Sequence, residues 1–197
     1  MTNSELLLRL ARPADATGIA NLSRHLIEYG LRWRWTPGRV EASIRAAHVN
    51  VLVACVAGHI AGFAIMRYGD DDAHLDLLAV APPHRRAGVG RRLLGWLEQC
   101  AIVGGITSVA LEVRAGNRGA QLFYERMGYR KLAHLPGYYQ SLEAALRMGR
   151  DLSSRSLHPN LRETQHRILE NIFGSSREFV DSSAINGSSD RINRSIR

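Results

Sequence analysis

With 197 residues, 45% of them hydrophobic and 22% charged, the chain has the size and composition of one globular domain plus, at most, an appendage. Its two cysteines fall inside apolar segments, which argues against a disulfide-stapled secreted domain and for a reducing compartment. A net charge of +8, with Lys131 the single lysine among 26 basic residues, raises nucleic acid as a partner, but no aromatic-studded basic strand or recognition helix accompanies it.

The opening residues MTNSELLLRLARP lack a basic n-region and long apolar stretch, and no later run approaches a membrane span. A cytoplasmic location without a membrane partner is the expectation, and no metal-ligand cluster is visible. Glu5 to Leu10 reads as a first strand. Asp15 stands where it would cap a helix whose apolar positions Ile19, Leu22, Leu26 and Ile27 keep helical spacing up to Gly30. Thr36 and Pro37 read as N-cap and first turn of a second helix through Val40, Ile44 and Ala47. Between the helices, Trp33 and Trp35 form either a lid over the core or a wall of a substrate site. Asn50 to Ala57 and Ile60 to Tyr68 are β-rich and joined by a hairpin signal at Gly58-His59. The aspartates Asp70, Asp71 and Asp72 make a solvated turn or an acidic lip that attracts a cationic amine.

From His74 the chain enters a strand whose apolar run Leu77, Leu78, Ala79 and Val80 suits burial on both faces, hence a central position. Pro82 and Pro83 end it. RRAGVGRR, Arg85 to Arg92, then sets Gly88 and Gly90 among four arginines ahead of the helical spacing Val89, Leu93, Trp96, Leu97 and Cys100. Glycines there let backbone amides approach an anion, the helix start adds unpaired donors, and guanidinium forks match phosphate oxygens. A pyrophosphate fits this arrangement. The helix stops at Gly104-Gly105, and Thr107 to Val113 is the next strand, in which Glu112 stands among aliphatic neighbours. Such a carboxylate is expected to have a raised pKa, useful to a general base if it borders a cleft; otherwise it is an edge carboxylate paired with Arg114 or Arg67. Ala120, Phe123, Tyr124 and Met127 form one stripe of a following helix closed by Gly128.

Arg85-x-x-Gly88-x-Gly90 behind a Leu-Ala-Val strand resembles the acetyl-coenzyme A motif of the GNAT superfamily of N-acetyltransferases, and the dinucleotide pattern GxGxxG is absent. Arg114, Asn117, Tyr124, Gly128 and Tyr129 resemble its second signature, and the likeness covers residues 5 to 152. Within the superfamily the chain is similar to ribosomal-protein-alanine N-acetyltransferases in the Glu112-to-Tyr124 interval and in the closing segment Pro136 to Leu152, although the central strand reads LLAV and the hairpin has its own sequence.

The resemblance implies an α/β fold of the α+β type: a mixed sheet of about six to seven strands flanked by about four helices, in the order β-α-α-β-β-β-α-β-α-β-β. It implies acetyl-CoA as cosubstrate, with no metal. Leu78, Ala79 and Val80 would run beside the pantetheine arm in a gap opened by a bulge; Arg85, Arg86, Ala87, Gly88, Val89, Gly90 and Arg91 would surround the pyrophosphate; Asn117 would help close the pocket. Glu112, directly or through water, would take the ammonium proton, Tyr124 would protonate the departing thiolate, and a backbone N–H near Leu78 or Ala79 would steady the oxyanion.

The acceptor would be a protein N-terminus or a small amine such as a polyamine, amino acid or aminoglycoside; a non-catalytic acetyl-CoA-binding module is the third possibility. Tyr138 and Tyr139 either line a peptide's approach or form an amphipathic edge-strand pair. Residues 153 to 197 are a serine- and arginine-rich extension to the 1–152 domain. An amphipathic helix is expected over 160 to 173, where Asn160 and Glu163 resemble a capping box, followed by a disordered end.

Overall fold

Near-continuous apolar runs produce the middle of the sheet, and interrupted ones its edges. In a computed structural model, which describes residues 5–153, β2 (Val49–Val56) and β3 (His59–Tyr68) are almost wholly buried, as strands covered on both faces must be. With β1 (Leu7–Leu10) and β4 (Asp72–Val80) they form four antiparallel neighbours. Helix α3 (Val89–Val103) carries the chain over to β5 (Ser108–Arg114), which pairs parallel with β4. Helix α4 (Arg118–Arg126) precedes β6 (Arg130–Tyr139) and β7 (Glu143–Asp151). The last strand inserts beside β5, giving the seven-stranded order β1-β2-β3-β4-β5-β7-β6. The expected element order and mixed sheet are both present.

Alternation along the strands divides the core in two. Val51, Val53, Phe63 and Ile65 face α1 (Ala16–Leu26) and α2 (Pro37–Arg45), while Leu52, Ala54, Ala64 and Met66 face α3 and α4. β4 contributes to both layers. Ala73 and Leu75 belong to the α3 side, yet Leu77 and Ala79 belong to the α1 side, which a strict two-residue period forbids. The switch occurs at a bulge: Met66 pairs with Leu75 and Ile65 with Leu77, leaving Asp76 as the extra residue. Pairing of β4 with β5 stops at the same place, at Leu75 and Leu111, so the two strands part beyond it. The expected bulge and gap are therefore present, and the bulge re-aims the end of β4.

Several local expectations need correction. Helix α1 ends at Leu26 rather than at Gly30, because the chain turns off to bury the Glu28 carboxylate among donors from Ser23, Arg34 and Trp35. Asp15 makes no side-chain cap to α1; it accepts from the Arg12 amide at 2.7 Å and from both terminal nitrogens of Arg9. Helix α2 stops at Arg45, two residues early, while Thr36 accepts from the Arg39 amide and Pro37 opens the helix as its sequence demands. The β2–β3 turn is Ala57-Gly58, both at positive φ, and His59 already pairs with Val56. Cys55 and Cys100 are free thiols, as expected. The extension helix expected over 160 to 173 and the end beyond it lie outside the described residues.

Candidate active site

Where β4 parts from β5 a cleft of about 1180 Å³ opens, lined by the end of β4, the loop and first turn of α3, β5, α4, the α1–α2 loop and the β6–β7 hairpin. The unpaired edge of β4 supplies its backbone groups. Ala81 donates to Ala61 on β3 at 2.8 Å, and antiparallel alternation turns Ala79 and Leu77 the same way, so the amides of Leu78 and Val80 face the gap. Of the two backbone amides expected near an oxyanion, that of Leu78 faces the gap and that of Ala79 faces β3.

The loop that follows leaves several backbone donors without acceptors. Gly88 sits at φ +79°, a conformation that costs a residue with a Cβ, and the first bond along α3 is Arg92 N–H to Gly88 C=O. The preceding helical amides of Val89, Gly90 and Arg91 have no intrahelical acceptor. Gly90 is different: a Cβ there would rest in ordinary contact, 3.5 Å from the Phe123 ring and 3.6 Å from Val80, so packing does not demand glycine at that position. Replacing Gly88 by alanine is expected to cost about 1–2 kcal/mol and to weaken coenzyme binding, read by urea unfolding and by calorimetric titration with coenzyme A.

The arginines of this loop divide their work. Arg86 and Arg91 line the cleft, Arg85 also lines it while its Nε donates to the Val80 carbonyl at 3.1 Å, and Arg92 turns away to the Leu6 carbonyl. Of the residues expected around the coenzyme, Leu78, Ala79, Val80, Gly88, Val89, Gly90 and Asn117 line the cleft and Ala87 does not. Asn117 accepts from the Ala120 amide at 3.0 Å and so starts α4. A diphosphate fits what is present: free helix-start amides, left-handed turns at Arg86 and Gly88, and guanidinium groups on one wall.

Glu112 and Tyr124 line this same cleft. Tyr124 is 7% exposed, packs edge-on against Phe123 and Tyr129, and its hydroxyl has no hydrogen-bond partner among the described residues. Burial pushes its pKa well above the ordinary phenol value, so it stays protonated and able to donate.

Glu112 differs from expectation. Neither Arg114 nor Arg67 pairs with it. Its Oε1 accepts from Arg147 Nε at 2.8 Å, and its Oε2 lies 2.8 Å from His74 Nε2 and accepts from the Tyr138 hydroxyl at 3.2 Å. Burial alone would raise its pKa, but the hydrogen bonds from Arg147 and His74 outweigh that and hold it below the usual carboxylate range. The expectation of a raised value is thus overturned.

His74 is the residue that sequence reasoning missed. Its Nδ1 lies 2.9 Å from Asp76 Oδ1, and Asp76 in turn accepts two 2.7 Å bonds from Arg67. The Asp76 bond raises the imidazole pKa, burial opposes it, and Glu112 adds to the rise. With a carboxylate on each ring nitrogen, the imidazolium satisfies both.

The aromatic candidates separate. Tyr138 and Tyr139 line the cleft with rings edge-to-face at 5.0 Å, and the Tyr139 hydroxyl donates to the Glu112 carbonyl at 3.3 Å. Trp35 is buried in the α1-side core with one edge on the cleft, while Trp33 is absent from the lining and packs against that core. Above them Arg114 ties the site together, donating to the Ile27 and Tyr29 carbonyls at 2.7 Å and to Glu143 at 3.0 Å.

Comparison with known proteins agrees with this architecture. An uncharacterized N-acetyltransferase of Methanocaldococcus jannaschii is 36% identical over 97 residues, 49% of this chain and 62% of that protein. The ribosomal protein bS18-alanine N-acetyltransferase of Escherichia coli K12 is 36% identical over 86 residues, 44% of this chain and 58% of that protein. The chain thus matches less than two thirds of the length of either relative. The crystal structure of Ard1 from Thermoplasma volcanium aligns with a TM-score of 0.66 at 29% identity, covering 74% of this chain and 97% of that one. The sequence profile of the acetyltransferase (GNAT) family matches residues 19–129, more than half of the chain, from the first helix to Tyr129 after α4, and on that match the chain belongs to the acetyltransferase (GNAT) family.

Proposed function

We propose that the protein transfers an acetyl group from acetyl-CoA to the α-amino group of a polypeptide. The observation that carries this reading is that Glu112 and Tyr124, from successive elements, line one cleft with the free edge of β4 and the glycine–arginine loop. Acetyl-CoA supplies the thioester acyl donor, which the loop amides, Arg86 and Arg91 would hold by its diphosphate, with the pantetheine arm along Leu78 to Val80.

An α-amino group loses its proton near pH 8, whereas a lysine side chain keeps its own past pH 10, so a weak base suffices for the former. Glu112 alone is too acidic for the task, but Glu112 and His74 titrate together. Once the pair has lost one proton it takes the proton of the incoming ammonium, directly or through water, and returns to the doubly bonded imidazolium state. The Leu78 amide faces the position of a developing oxyanion, and Tyr124 donates its proton to the leaving thiolate.

Two expected outcomes follow. Tyr124→Phe should slow turnover by about tenfold to a hundredfold with coenzyme affinity nearly unchanged, measured by single-turnover kinetics and coenzyme titration; unchanged turnover removes the phenol from the mechanism. The raised imidazole pKa sets the sign of the pH dependence: kcat/KM should climb with pH as the pair sheds its proton, above the ordinary histidine range. His74→Gln should delete that limb and leave the acceptor's own ionisation. A coenzyme A release assay across short peptides, polyamines, amino acids and aminoglycosides tests the reading as a whole. Turnover on peptides supports it, turnover confined to small amines replaces it, and tight coenzyme binding without any turnover would mark a binding module.

A further inference from the structure

Among the described residues, many arginines that tie elements together are paired with acid. Arg9 meets Asp15, Arg67 meets Asp76, Arg114 meets Glu143, Arg147 meets Glu112, and Arg150 meets Glu98. On the cleft, two groups of arginines have no carboxylate partner among the described residues. One follows β4 at the start of α3, where a diphosphate accounts for it, with Arg126 on neighbouring α4. The other is Arg32, Arg34 and Arg39, which line the cleft from the α1–α2 segment, on the opposite layer of the sheet.

This second group is held in place. Along Arg32-Trp33-Arg34-Trp35 the side chains alternate, with the indoles turned into the core and both arginines exposed. The Arg32 backbone is clasped at both its N–H and its C=O by the Gln140 carboxamide, at 3.1 and 3.3 Å. The Arg34 and Trp35 amides donate to Glu28, which spends that buried carboxylate on backbone rather than on a guanidinium group. The Arg39 guanidinium lies 4.2 Å over the Trp35 ring. Three like charges gathered along one wall of the cleft repel one another, and an anion relieves that repulsion.

We infer that the acceptor is an acidic polypeptide, one whose α-amino group is followed closely by aspartate or glutamate side chains that Arg32, Arg34 and Arg39 receive. The inference rests on the polypeptide-acceptor reading above and adds the chemistry of the residues behind the amine. The same field repels polycationic amines. It also lowers the pKa of an entering ammonium, which favours the neutral nucleophile.

The test uses the full chain and three peptides that begin with alanine and continue with two glutamates, two glutamines or two lysines. The glutamate peptide should exceed the glutamine peptide in kcat/KM by about tenfold, through KM, and the advantage should collapse near 1 M salt. The double substitution Arg32→Gln and Arg34→Gln should erase most of that ratio, and Arg34→Glu should shift preference toward the lysine peptide.

Equal or better turnover of the glutamine or lysine peptide overturns the inference while leaving a polypeptide acceptor intact. Failure of all three peptides beside turnover of a small amine overturns the polypeptide reading itself. A loss of coenzyme affinity in the double variant would reassign these arginines to the coenzyme. Arginine-dependent binding of a single-stranded oligonucleotide, tighter than that of the glutamate peptide, would reassign them to nucleic acid. Either result refutes the inference.

Discussion

Glu112→Gln should lower kcat by about 10²- to 10³-fold and leave acetyl-CoA affinity within a small factor of the parent protein. The amide keeps the size of the carboxylate and still accepts from Arg147 Nε, so the cleft keeps its shape. What it loses is charge. His74 then faces one carboxylate, Asp76, instead of two, and part of the support for its raised pKa disappears. The pH limb of the remaining activity should therefore move downward and flatten. Stopped-flow acetyl transfer beside coenzyme titration reads both quantities. A variant that keeps the parent rate and limb would show that the proton leaves by another route.

The second large effect concerns stability. Glu98 is fully buried on α3, accepts two 2.9 Å bonds from Arg150 Nη1 on β7 and a 3.1 Å bond from the Tyr129 hydroxyl, and the Arg150 side chain is 9% exposed. This pair joins the crossover helix to the strand inserted beside β5. Arg150→Met removes one partner and leaves a buried carboxylate, a change that costs about 3–5 kcal/mol. The midpoint of urea unfolding should fall accordingly, with the slope unchanged. Replacing both partners with apolar residues of similar volume, Glu98→Met with Arg150→Met, should recover much of the loss, because both charges then leave the interior. A loss below about 1 kcal/mol in the single variant would mean that the carboxylate is neutralised elsewhere.

What could be read from the sequence and what could not divide along a physical line. The Thr36-Pro37 helix start, the Gly104 helix stop and the Gly88 turn depend on a few adjacent residues, and each stands where its residues put it. The apolar run after His74 stands in a central strand, with Leu77 and Ala79 buried on one face and Leu78 and Val80 half-buried on the other, beside the cleft. His74 and Asp76 escaped notice because HLDL looks like plain alternation; their role comes from the Asp76 bulge and from a strand that arrives 38 residues later. The lowered pKa of Glu112 is illegible in the sequence for the same reason, since its partner Arg147 comes from the closing hairpin. Glu98 looks like a solvent position on an amphipathic helix until Arg150 is brought to it by the insertion of β7 between β5 and β6. Arg114, matched to a signature position, proved to hold the α1–α2 loop by two carbonyls, contacts that a motif cannot display.

The most direct trial of the account is to incubate the protein with acetyl-CoA and a peptide that carries both a free α-amine and an internal lysine, then locate the acetyl group by fragment-ion mass spectrometry. One acetyl group on the first residue, formed about 10²- to 10³-fold more slowly by Glu112→Gln, is the result predicted. Acetylation of the lysine instead, or none on a peptide while a small amine is consumed, would contradict it.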